Sequence, residues 1–86
     1  MTSHVERSFR GISERLAIRY LENLGGERIG EDLVEGPGWT ATLSSSSVRI
    51  GPTLTIGEVT VVFEGEPEAL DELVPAFAQK AVRAGG

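Results

Sequence analysis

The chain has 86 residues, enough for one domain and too few for two. It carries no cysteine and a single histidine, His4, so disulfides, thiolate metal sites and thiol nucleophiles are excluded, and no metal or cofactor is expected. The formal net charge is −5, with five arginines against four glutamates in residues 1–30 and the whole acid excess in residues 31–86. An acidic chain is poorly suited to a phosphate backbone, so nucleic acid is not expected as a partner.

No stretch approaches the ~18 consecutive apolar residues of a membrane span. The opening residues contain no apolar signal region, so a cytoplasmic location and no membrane contact are expected.

His4 to Arg10 alternates, with Val5, Arg7 and Phe9 on one side, which suits an opening strand ended by Gly11. A helix follows. Ser13 is a good N-cap and Glu14 suits the positive end of the helix dipole. Leu16, Ala17, Tyr20, Leu21 and Leu24 share one face at about 100° per residue. Gly25-Gly26 ends the helix, leaving Arg15, Ile18, Arg19 and Glu22 on the outer face.

Arg28 to Glu35 reads as a modest strand, and Gly36-Pro37-Gly38 as a turn. Trp39, Ala41 and Leu43 alternate with polar residues in a second strand of this middle section. The run Ser44 to Ser47 reads as a hairpin turn. Val48, Ile50, Leu54 and Ile56 then occupy even positions, interrupted by Gly51-Pro52. Val59, Val61 and Phe63 occupy odd ones, and this change of parity predicts a turn or bulge at Gly57.

The last helix begins at Glu66-Pro67, where the missing N–H of a proline costs nothing. Leu70, Leu73, Val74, Phe77 and Ala81 form its apolar face. Pro75 lies inside the pattern, which costs about 3 kcal/mol in a straight helix interior. It projects away from the stripe, so a helix wrapped across a curved sheet is expected. The fold class is α+β in the order β-α-β-β-β-β-α, a curved antiparallel sheet with two helices on one face.

The segment from Arg7 to Gly26, with Glu35-Gly36-Pro37-Gly38-Trp39 and the helix opened by Glu66-Pro67, resembles the C-terminal domain of MoaD-related proteins of molybdopterin biosynthesis. The resemblance spans nearly the whole chain and implies a fold like that of TATA-binding protein. In such proteins the domain follows a ubiquitin-like sulfur-carrier domain, which this sequence lacks. The resemblance implies association with a sulfur-carrier or molybdopterin-pathway protein and carries over no catalytic residue.

The candidate features are few. Gly85-Gly86 has the form of a sulfur-carrier terminus, in which bare glycines thread a narrow channel and present a carboxylate for adenylation; the alternative is a helix end. Arg15 and Arg19 flank Ile18 as a candidate partner patch, and Trp39 is either a core or rim anchor or a contact on the open sheet face. Ser44 to Ser47 lacks a base to activate a nucleophile. Gly25 to Gly30 lacks the Gly-Lys-Ser/Thr of a phosphate loop. Glu64, Glu66, Glu68, Asp71 and Glu72 read as a solvated helix start.

The expected function is thus a non-catalytic protein-interaction domain. The alternatives are a small-molecule site between Phe77 and the sheet, or a carrier activated at Gly86. An open face bearing Thr40, Thr42, Thr60 and Val62 is compatible with a monomer or a weak homodimer.

Overall fold

The computed structural model describes residues 2–85. Strand β1 (Ser3–Arg10) leads into helix α1 (Glu14–Asn23). Strands β2 (Glu27–Arg28), β3 (Leu33–Gly36), β4 (Trp39–Arg49) and β5 (Thr55–Gly65) follow, and helix α2 (Pro67–Gly85) ends the chain. The strands form one antiparallel sheet in the order β1-β5-β4-β3-β2. The architecture is the α+β order read from the sequence. No helix among the described residues is long and apolar enough to cross a membrane.

Both helices start where their capping residues place them. The Ser13 hydroxyl accepts from the Leu16 N–H at 3.1 Å. At the other end Gly25 takes φ 102°, and the N–H groups of Gly25 and Gly26 reach back to the carbonyls of Glu22 and Leu21 at 3.1 and 2.9 Å. This is a Schellman cap, which needs the left-handed residue that glycine supplies. Pro67 is the first residue of α2, and Pro75 sits on its exposed side.

The four middle strands are divided differently from the sequence expectation. Arg28 to Glu35 is two short strands joined by a turn, with Ile29 exposed. Ser44 to Ser47 is not a turn but part of the eleven-residue β4. The turn falls instead at Gly51-Pro52, where the Ile50 N–H meets the Leu54 carbonyl at 2.9 Å. Gly57 is neither turn nor bulge: the β4–β5 register runs unbroken from Trp39↔Gly65 to Arg49↔Thr55. The parity change is real, but its cause is different. The apolar residues switch from one face of a continuous hairpin to the other, because the core lies under only its proximal half.

The core occupies one face. Ala41 and Leu43 of β4 and Val59, Val61 and Phe63 of β5 meet Ala17 and Leu21 of α1 and Leu70, Leu73, Val74, Phe77 and Ala81 of α2. Helix α2 crosses β1 and β5, while α1 lies over β2, β3 and β4. Phe77 is fully buried, with its ring centroid 5.1 Å from Phe9, 5.6 Å from Phe63 and 6.2 Å from Tyr20, all edge-on.

Truncating Phe77 to Ala removes the shared member of these three ring pairs. It should destabilise the domain by about 3–5 kcal/mol, a large part of the roughly 5–10 kcal/mol available to a chain of this size. Urea denaturation followed by circular dichroism would show the midpoint falling accordingly.

Candidate interaction surface

Period-two alternation sends every second residue of each strand away from the helices. The register identifies the residues on this uncovered face. His4, Glu6, Ser8 and Arg10 of β1 stand opposite Glu64, Val62, Thr60 and Glu58 of β5. Those in turn oppose Thr40, Thr42, Ser44 and Ser46 of β4. Leu33 and Glu35 of β3 and Glu27 of β2 complete the rows.

The centre of the face is a band of hydroxyls and half-buried aliphatics. Ser8 and Thr60 are hydrogen-bonded across β1 and β5 at 2.9 Å, and Val62 and Leu33 flank Thr42. Thr40, Thr42, Thr60 and Val62 all lie here, on the open face. The rim is acidic. Glu6, Glu27, Glu35, Glu58 and Glu64 share the face with Arg10 and His4, and Arg10 is already 3.2 Å from Glu58. This surface pair contributes at most ~1 kcal/mol. Its electrostatic effect is to cancel the one arginine on the face, leaving a surface that repels phosphate.

The Arg15, Ile18 and Arg19 patch is not an exposed aliphatic flanked by cations. Ile18 is buried, at 7% exposure. It sits about 60° around α1 from Leu21 at the helical period, so the buried stripe extends past Leu21 toward Ile18, while Leu16, Tyr20 and Leu24 are only half-buried. Arg28 and Glu31 share a cleft with that side of α1, and Ile18 is part of its lining. Arg15 and Arg19 remain exposed and line a cleft of about 470 Å³ with Glu14, Glu22, Arg28 and Glu31. Arg28 is held by the Gly30 and Glu31 carbonyls at 2.9 and 3.0 Å.

Trp39 is on the helix-covered side, so it is not a contact on the open face. It is 5% exposed, and its indole lies against Gly26, Gly36 and Val34. A side chain at Gly36 would overlap the indole, which is why the turn before Trp39 keeps a glycine there. The anchor reading of Trp39 therefore holds.

The space between Phe77 and the sheet is filled by Phe9 and Phe63 rather than left as a pocket. A shallow cleft of about 330 Å³ opens instead on the other flank of α2, lined by Leu24, Pro37, Trp39, Ala69, Leu73 and Ala76 among others. Among the described residues no group of His, Asp and Glu could hold a metal ion, and no polar side chain is buried. Helix α2 runs to Gly85, and Gly86 lies outside the described residues.

The chain is a two-layer α+β domain, two helices on one face of an open five-stranded antiparallel sheet, and its accessible feature is a sheet surface rather than a cleft lined by reactive groups. The model of the family described as archaeal MoaD-like protein matches residues 5–86, and the chain belongs to that family. No curated protein matches the chain significantly.

The two kinds of position on α1 separate in stability. Ile18→Ala should cost about 2 kcal/mol or more, whereas Arg15→Ala and Arg19→Ala should each stay within about 0.5 kcal/mol of the parent. Equilibrium unfolding of the three variants measures the difference.

Proposed function

We propose that this protein is a non-catalytic cytoplasmic interaction domain of the MoaD-like family, and that it engages a sulfur-carrier or molybdopterin-pathway protein through the uncovered face of its sheet. The observation that carries this reading is the composition of that face. A central band of Thr42, Thr60, Val62 and Leu33 is ringed by five glutamates with one arginine, already paired. A partly apolar centre inside a charged rim is the anatomy of a protein contact. The sign of the rim selects a partner whose contacting surface is basic.

Family membership supports the pathway context, and the arrangement of the helices supports the choice of face. Both helices are committed to the core on the other side, so a partner on the open sheet displaces nothing. Arg15 and Arg19 belong to a cleft in which glutamates balance them, which makes that surface the weaker of the two candidates.

The test is binding of the purified domain to purified sulfur-carrier and molybdopterin-pathway proteins of its own host, followed by calorimetry or surface plasmon resonance. Val62→Arg, at the centre of the face, should weaken binding at least about tenfold. Arg15→Glu with Arg19→Glu should leave it unchanged, and raising the salt should weaken it. Binding that survives Val62→Arg, or no binding to any of these proteins, would sink the reading.

A further inference from the structure

Beyond the sheet proper, β4 and β5 continue as a two-stranded arm. Strand β1 pairs with β5 only as far as Glu58, and β3 pairs with β4 only as far as Thr42. The Leu43 N–H is the last on that side to find a neighbour, the Asp32 carbonyl at 2.8 Å. From Ser44 to Arg49, β4 is therefore an edge.

Which backbone groups face outward follows from the alternation of an antiparallel ladder. The Leu43 N–H points toward β3, so odd residues of β4 point to that side and even residues point to β5. The Ile50 N–H bonding to Leu54, across the turn, fits the same alternation. Ser45, Ser47 and Arg49 thus present both N–H and C=O to the outside, with no backbone partner among the described residues.

Exposed edges of this kind are usually blocked by lysine, proline, a bulge or a covering segment. This one has none of them. The register is free of bulges, and the run from Ser44 to Val48 carries no charge and only small or β-branched side chains. Up to Arg49 at its end it is uncharged and open.

We propose that this edge pairs with the same edge of a second copy of the chain, antiparallel and centred on Ser47. Setting Ser47 opposite Ser47 of the second copy places Ser45 opposite Arg49 and Arg49 opposite Ser45. All the outward N–H and C=O groups of these residues are then paired in one register. A two-fold axis through Ser47 makes the contact isologous and closes it at two copies, joining the two arms as a four-stranded segment with β4 of each copy at its centre.

Charge favours a second copy at this edge and disfavours it elsewhere. The open sheet faces carry the glutamate rim and repel one another. At the edge, Arg49 of each copy arrives beside Ser45 of the other, on the helix-covered side. Ser45 lines a cleft there with Ser13, Glu14 and Ser47. Each arginine therefore approaches the acidic first turn of the other copy's α1. On the opposite side, Ile50 and Val48 come beside Ser44 and Ser46 of the second copy, partly shielding side chains of which Ile50 is 54% exposed.

Sedimentation velocity and light scattering over micromolar to millimolar concentration provide the test. The expected result is a reversible shift from monomer to twice the monomer mass. Ser47→Pro removes the central donor without breaking the β4–β5 ladder, because that N–H points outward. It should weaken the dimer by at least about tenfold while circular dichroism stays that of the parent. Arg49→Glu, which keeps the backbone intact, should also weaken it, and Arg49→Glu combined with Glu14→Arg should restore it. A chain that stays monomeric over the whole range overturns the proposal. So does a dimer indifferent to both Ser47→Pro and Arg49→Glu, which would use another surface.

Discussion

Phe77 is where the two layers of the molecule are joined. Its ring stands edge-on to Phe9 from β1, Phe63 from β5 and Tyr20 from α1, so one side chain of α2 touches the sheet and the other helix together. Because β1 and β5 are far apart in sequence, and β1 precedes α1, this contact closes the chain on itself. The rest follows from it. The odd positions of β4 and β5 must point toward Phe77, the even positions must point away, and the open face is whatever the even positions happen to be.

That constraint explains how far the sequence could be read. The helices were legible because their ends are chemically marked, by Ser13 and Gly25-Gly26 in one case and by Pro67 in the other. The opening strand and the inward set Ala41, Leu43, Val59, Val61 and Phe63 were legible through alternation. The serines at 44 to 47 have the composition of a loop, whereas their strand conformation comes from pairing with residues 57 to 60. Propensity is local, and this pairing is not. The even-position aliphatics from Val48 to Ile56 read as a strand of their own, although they lie on the two arms of one hairpin, on the side away from the core.

The surface was less legible than the fold. Ile18 read as exposed because the sequence gives α1 only one apolar stripe. The cleft that Arg28 and Glu31 form with its flank is visible only in three dimensions. Trp39 read ambiguously for a similar reason: its site is made by glycines at 26 and 36, one from a helix cap and one from a turn. The acidic rim is not legible in the sequence because its members are scattered along the chain at 6, 27, 35, 58 and 64. Only the register gathers them. Family membership and the geometry together describe a MoaD-like domain with an open sheet face rimmed by glutamates and an unpaired strand edge.

The arm formed by the distal halves of β4 and β5 has a dynamic consequence. Between Ser47 and Gly57 it is held by a single ladder, with no third strand on either side and solvent over much of its surface. Such a segment can unzip from Gly51-Pro52 inward while the layer beneath Phe77 stays closed. Its amide protons exchange through that local opening, and those of Ala41, Val61 and Phe63 exchange only when the whole domain comes apart. The molecule therefore has two stabilities: a small one belonging to the arm and a larger one belonging to everything that packs on Phe77.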